Sequence, residues 1–252
     1  MAGIALVTGA TSGIGEATAL RLADEGYDII ATGRRENRLS TLREKIETKG
    51  RKCMVYPLDV RVQSDVQNFA NGLPDEWKKI DVLVNNAGLA AGKGPIQEGN
   101  LDHWERMIDT NVKGLLYVSK AIIPFMTSRK KGHIINIGSI AGKEVYPGGN
   151  VYNGTKHAVD ALTRGMRIDL IEYGIRVSQI APGMVETEFS LVRFDGDQQK
   201  ADETYHGFDP LLAEDIADAV AYQVTRPPHV NVADMLILPT AQASAVVVKK
   251  DE

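Results

Sequence analysis

The chain has 252 residues, 29 Lys and Arg against 33 Asp and Glu, 24 glycines and one cysteine. A net charge of −4 argues against a whole-molecule nucleic-acid binder, and a lone thiol excludes an internal disulfide framework or a cysteine-rich zinc site. No apolar run approaches the roughly 20 residues that span a bilayer, and Met1–Ile4 lacks the start of a signal peptide; a cytoplasmic protein without membrane or nucleic-acid partners is expected.

Ile4–Val7 is an apolar strand that runs into a glycine-rich turn. Ile14–Glu25 carries Ala17, Leu20, Leu22 and Ala23 at helical spacing and closes on Gly26, a C′ glycine. Asp28–Thr32 reads as a strand, Glu36–Lys49 as a charged helix stopped at Gly50, Cys53–Leu58 as a strand and Ser64–Gly72 as a short helix. Val82–Asn85 is the fourth strand. Leu101–Ser128 is one long helix or two in succession, with Pro124 the expected kink or break. His133–Ile137 is a strand, Tyr152–Tyr173 a long helix closed by Gly174, Ile175–Ile180 a strand, Glu214–Tyr222 a helix and Met235–Leu238 a last strand. Short strands, apolar throughout and separated by helices, indicate a parallel sheet covered on both faces. The expectation is one doubly wound α/β domain over residues 1–252. Pro182–Pro210 is the least regular piece and the expected substrate loop.

Gly9-Ala10-Thr11-Ser12-Gly13-Ile14-Gly15 joins the first strand to the first helix. Glycine is needed where backbone turns sharply and must approach pyrophosphate. The helix N-terminus then faces the phosphates. The G-x-x-x-G-x-G spacing differs from the common dinucleotide fingerprint, and tight packing alone would also explain it. Gly33-Arg34-Arg35 ends the second strand, with Arg38 one turn on. At a dinucleotide site, arginines here accommodate the 2′-phosphate of NADP rather than the free hydroxyl of NAD. Otherwise they form a solvated basic turn.

Tyr152 and Lys156 stand four apart, on one face of the expected helix. An ammonium nearby stabilises tyrosinate and makes the phenol usable as an acid or base. A surface pair has the same spacing. Ser139 follows the fifth strand, and Asn85-Asn86-Ala87-Gly88 the fourth, at the sheet edge where ligands of such folds sit.

Taken together, Thr8–Gly15, Asp59, Asn85–Gly88, Asn111, Ser139, Tyr152, Lys156 and Pro182-Gly183 resemble the short-chain dehydrogenase/reductases, in order and over nearly the whole chain. The resemblance implies a Rossmann-type fold and a catalytic tetrad of Asn111, Ser139, Tyr152 and Lys156. It gives Tyr152 the proton exchange and Ser139 the substrate oxygen. Lys156 takes the ribose hydroxyls and lowers the Tyr152 pKa, and Asn111 holds a relay water. It places cofactor contacts at Gly9, Thr11, Ser12, Gly13, Ile14, Gly15, Asp59, Val60, Asn86, Ala87, Gly88, Pro182, Gly183, Val185 and Thr187. A narrower resemblance covers Thr32–Arg35, Trp77–Ala90, Gly132–Ser139 and Val185–Phe194. It is to the NADP-dependent serine and 3-hydroxy acid dehydrogenases and implies a small 3-hydroxy acid or 3-hydroxy amino acid as substrate, and a homotetramer.

A carboxylate substrate in an acidic protein needs a local cation. Arg193 is the first candidate, because a guanidinium binds a carboxylate bidentately, and Lys143 the second. Gly148-Gly149 makes room for a small substrate or merely a turn. Two other readings stay open: a reductase of 3-oxoacyl thioesters, sugars or steroids, and a nucleotide-sensing protein without chemistry. The five histidines are scattered without ligand spacing, so no metal is expected. Trp77 and Trp104 read as packing residues and Cys53 as a strand residue without chemistry. The tail Ala245–Glu252 either docks against another subunit or frays.

Overall fold

The computed structural model describes residues 3–251; Met1 and Ala2 of the expected start, and Glu252 of the tail, lie outside the described residues. Seven strands form one sheet: β1 (Ile4–Thr8), β2 (Asp28–Gly33), β3 (Cys53–Pro57), β4 (Ile80–Asn85), β5 (Gly132–Ile137), β6 (Ile175–Pro182) and β7 (Asp234–Ile237). Their order is β3-β2-β1-β4-β5-β6-β7, every pair parallel. The chain therefore reverses its winding between β1 and β4. Both strand ends open there on the same edge, the place where doubly wound sheets bind ligands.

Helices cover both faces. On one, α1 (Gly13–Asp24), α2 (Glu36–Thr48) and α9 (Ala213–Val224) bury Leu22, Leu39, Leu42, Ile46, Ile216 and Val220 against Ala5, Val7, Ile29 and Val84. On the other, α3 (Gln63–Asn71), α5 (Leu115–Thr127) and the end of α6 (Asn150–Asp169) bury Val66, Phe69, Val118, Ile122 and Met126 against Leu6, Ile30, Leu83 and Ile134. Strands buried on both faces explain why their sequences are apolar without alternation. Trp77 packs on the second face, as expected of a packing residue. Cys53 is buried, and burial pushes its thiol up to about 12.

Two expectations change, and for the tail fraying is excluded. Leu101–Ser128 is α4 (Leu101–Ile108), a π-helical turn at Asp109–Gly114, and α5. The break falls at the π turn; Pro124 lies inside α5, its missing N–H tolerated near the helix end. Pro182–Pro210 is not a bare loop. It holds α7 (Phe189–Arg193) and α8 (Gln198–Tyr205), with Asp197 capping α8 by accepting from Lys200 N at 3.1 Å. The tail folds back on its own chain: Gln242 bridges Val248, and Asp251 N donates to Gly207 O at 2.7 Å.

One buried ionisable group carries a pH prediction. His133 on β5 is 1% exposed, its Nε2 lies 2.8 Å from Ser178 Oγ, and its Nδ1 has no partner. Burial, helped by Arg176, lowers its pKa to about 3. The unfolded chain takes up this proton near pH 6.5, whereas the folded chain does so only near 3. Stability is therefore lost as pH falls through that interval, by at most about 1.4 kcal/mol per pH unit. Urea unfolding of wild type and His133→Gln at pH 7, 5.5 and 4.5 should show the wild type losing stability faster; parallel curves would remove His133 from the acid response.

Candidate active site

β1 and β4 are stitched together at their carboxyl ends. Thr8 Oγ1 accepts from Asn86 N at 3.0 Å and Ala87 N at 3.1 Å, and Asn86 Nδ2 donates to Thr8 O at 2.9 Å. Beyond Thr8 the chain turns at Gly9, whose φ of +66° favours glycine. A Cβ on Gly15 would run into Gly9 O. The turn is thus closed so tightly that α1 begins with its N-terminus at the cleft.

The cleft is a cavity of about 470 Å³ along this edge. It is lined by Gly9, Thr11, Ser12, Gly13 and Ile14 of the turn, Arg34 and Arg35 after β2, and Asp59 and Val60 after β3. Asn86, Ala87 and Gly88 after β4, Ser139 after β5, Tyr152 and Lys156 on α6, and Pro182, Gly183, Val185, Thr187 and Arg193 after β6 complete it. Three expected residues stand outside the lining: Gly15, Arg38 and Asn111. Gly15 serves the close packing just described, and Arg38 reaches in only through Thr11 O, at 3.4 Å, and Glu188. The Asn111 side chain sits one layer behind. Its Nδ2 donates to Leu89 O at 2.8 Å and Thr155 Oγ1 at 3.0 Å, while Oδ1 accepts from Leu89 N at 2.8 Å. The side-chain amide is fully spent on holding the β4 exit against α6.

Tyr152 and Lys156 share the inner face of α6 and are both buried. The segment after β5 lies close against α6 at Lys156 because Gly142 has no Cβ; one there would strike Lys156 O. Lys156 Nζ donates to Ile137 O at 3.0 Å and has no carboxylate partner among the described residues. Burial pulls its pKa down to about 8. Burial also pushes the Tyr152 phenol up, and the Tyr146 phenol adds to this; the Ser139 hydroxyl and the Arg193 guanidinium pull it back. Lys156 Nζ stands 5.9 Å from the Tyr152 ring centroid and is not among the groups that shift the phenol. Ser139 accepts from Ala141 N at 3.1 Å, which fixes its hydroxyl beside the phenol.

The two candidates for an anionic substrate part company. Lys143 pairs with Asp160 and Asp234 and is absent from the cavity lining, so it has no free charge for a substrate. Arg193 lies over Tyr152, its guanidinium carbon 5.8 Å from that ring centroid and 5.4 Å from that of Tyr146. Its Nε donates to Gly92 O at 3.3 Å and Nη2 to Tyr146 Oη at 2.9 Å, while Nη1 has no partner among the described residues. Tyr146 escaped the sequence reading. Its signal was Gly149, where a Cβ would collide with the Tyr146 ring; Gly148, with φ of +75°, makes the turn against Gly94. Trp104 packs under the small cluster around Leu89 and Tyr152, as expected. Tyr205, also missed, donates to Val185 O and accepts from Ser190 Oγ, both at 2.8 Å, tying α8 to the cleft wall.

The short chain dehydrogenase family model matches residues 3–197. The chain belongs to the short-chain dehydrogenase family. Within it, the chain is 46% identical over 243 residues to the NADP-dependent 3-hydroxy acid dehydrogenase YdfG of Salmonella typhi, covering 96% of this chain and 97% of that one. It is also 46% identical over 253 residues to sulfoacetaldehyde reductase 2 of Chromohalobacter salexigens, covering all of both chains. The closed form of a serine dehydrogenase complexed with NADP+ superposes with a TM-score of 0.93 at 44% identity, over 99% of this chain and 100% of that one. This short-chain dehydrogenase is an NADP-dependent oxidoreductase acting on hydroxyl groups. The residues present fit NADP: glycines at 9, 13 and 15 around the helix start, arginines after β2, and a buried lysine whose remaining protons have no acceptor among the described residues. Among the described residues no helix is long and apolar enough to cross a membrane.

Proposed function

We propose that the enzyme interconverts a small 3-hydroxy acid or 3-hydroxy amino acid, such as L-serine, L-allo-threonine or 3-hydroxypropionate, with its 3-oxo product. The observation that carries this reading is Arg193, a cation over the Tyr152 ring with one nitrogen uncommitted. A three-carbon acid is short enough to set its hydroxyl at Tyr152 and its carboxylate at Arg193 together. The tie between Arg193 and Gly92 closes the cleft roof, which disfavours long acyl thioesters.

NADP, when bound, supplies or accepts the hydride. The Gly9–Gly15 turn would hold its pyrophosphate, Arg34 and Arg35, with Arg38 behind them, the 2′-phosphate, and Asp59 and Val60 the adenine. Asn86–Gly88 and Pro182–Thr187 would flank the nicotinamide end, and Lys156 would take the ribose hydroxyls. Ser139 orients the substrate oxygen. Tyr152, kept protonated by burial, gives its proton to that oxygen in reduction. In oxidation it takes the hydroxyl proton, so oxidation should speed up as pH rises. With its side chain committed, Asn111 leaves the main chain of the π turn to hold a relay water; such turns recur at functional sites.

The tetrameric expectation is supported by apolar residues left exposed on two faces: Leu101, Ile108 and Leu116 on α4 and α5, and Tyr222 and Leu236 on α9 and β7. We infer a cytoplasmic location, which the single cysteine and the ordinary composition support. The full-length match to a sulfoacetaldehyde reductase supports a second reading, a two-carbon sulfonate aldehyde, because Arg193 binds a sulfonate as readily as a carboxylate.

Arg193→Leu tests the substrate assignment. A charge-assisted pair is worth about 1.5–3 kcal/mol, so KM for acids should rise about tenfold to hundredfold. KM for a neutral alcohol of equal size should stay put, and Arg193→Lys should restore part of the acid affinity. Equal changes for acid and alcohol would remove Arg193 from substrate binding.

A further inference from the structure

Glu188 is the residue that the cofactor reading leaves without a role. It precedes α7, at the start of the segment that roofs the cleft, and its carboxylate reaches across to the turn after β2. Oε2 accepts from Arg35 Nη1 at 2.8 Å, and Oε1 lies 2.7 Å from Arg38 Nη1. Burial alone would push this carboxyl up; the two guanidiniums outweigh it and hold the pKa below the ordinary carboxylate range. The other side of Arg35 is equally committed. Its Nη2 donates to Ser12 Oγ at 2.6 Å and to Thr11 Oγ1 at 3.1 Å, and its Nε to Thr11 Oγ1 at 3.2 Å. Arg34, in contrast, has no ion pair among the described residues.

An anion thus already sits on two of the three arginines assigned to the 2′-phosphate. We propose that Glu188 is a cofactor-specificity residue: its carboxylate stands in for the 2′-phosphate on Arg35 and Arg38, and NADP must displace it to bind. This rests on the assignment of the 2′-phosphate to these arginines. The carboxylate and the phosphate want the same N–H donors, and two anions cannot share them without mutual repulsion. Displacement releases the roof's attachment to the β2 turn, so the 2′-phosphate is felt at α7. NAD, which lacks that group, leaves the Glu188 clamp in place. The clamp therefore lowers the affinity for the phosphorylated cofactor, and the turn's remaining charge, Arg34, meets the phosphate first.

The test uses nucleotides that reach only the adenosine end. Adenosine 2′,5′-bisphosphate and 5′-AMP are titrated calorimetrically into the full chain, its Glu188→Gln and Glu188→Ala variants, and an Arg35→Ala/Arg38→Ala variant. Half-exposed ion pairs are individually weak, so freeing both guanidiniums should tighten the bisphosphate about tenfold in both Glu188 variants while 5′-AMP affinity stays unchanged. Bisphosphate affinity that is unchanged or weaker in these variants would overturn the proposal, a weakening meaning that Glu188 only positions the arginines. The arginine variant reports separately on the underlying assignment. With Arg34 still in place, discrimination between the two nucleotides that shrinks supports it, and discrimination as strong as in wild type would overturn it whatever Glu188 does.

Discussion

Tyr152→Phe should lower turnover by about 10²–10⁴-fold, the range that a positioned general acid–base contributes, and leave NADPH affinity within about twofold. The phenol is buried, and burial holds its proton. Phenylalanine keeps the edge contact with the Phe189 ring, whose centroid lies 5.7 Å away, and removes only the oxygen. Folding should be unaffected, because this hydroxyl holds up no backbone. The split between turnover and cofactor binding is the informative readout. Near-normal turnover would remove Tyr152 from the chemistry, and a parallel loss of NADPH binding would make it a structural residue.

Lys156→Met should cost at least about 10²-fold in activity while leaving the cofactor-free protein as stable as wild type or more so at pH 7. A buried ammonium without a carboxylate partner is costly to fold around, and the drop in its pKa to about 8 reports that cost. The sign follows from linkage. Below pH 8 both folded and unfolded chains carry the proton, and the folded chain bears the full penalty, roughly 3–4 kcal/mol at most. Between pH 8 and 10.5 the folded chain releases its proton first, so wild-type stability rises and the difference from Lys156→Met shrinks. Methionine is one atom shorter than lysine, keeps the unbranched shape and gives up the bond to Ile137 O. Thermal unfolding at pH 7 and pH 9.5 checks this. A variant several degrees less stable at pH 7 would mean that Lys156 is retained for packing rather than for the site.

Much of this was legible in the chain because it follows from local physics. Each strand was marked by an apolar run, and Gly26, Gly50 and Gly174 marked helix ends, all three having positive φ. The cavity collects residues from the ends of six strands, β1 to β6, and their order along the chain was enough to bring them together once the sheet was recognised as doubly wound. What escaped depends on contacts without a local pattern. α8 buries only Ala201, so it lacks an apolar stripe; its signals were Asp197 at the N-cap and the flanking glycines Gly196 and Gly207. The π turn at Asp109–Gly114 has no compositional mark. Lys143 looked like a free cation because its partners, Asp160 and Asp234, are 17 and 91 residues away. The Glu188 clamp joins residues 153 apart. The upward push on the Tyr152 phenol has no mark in the spacing either, because it comes from burial, with the Tyr146 phenol adding to it.

The central claim is that a carboxylate held by Arg193 selects the substrate. Steady-state kcat/KM with NADP for 3-hydroxypropionate and L-serine, set against 1-propanol, and with NADPH for sulfoacetaldehyde and a 3-oxoacyl thioester, tests it most directly. The predicted result is a preference for 3-hydroxypropionate over 1-propanol of at least about tenfold, the value of one charge-assisted pair, with the thioester turned over poorly. Equal rates on 3-hydroxypropionate and 1-propanol, or a preference for the thioester, would contradict it.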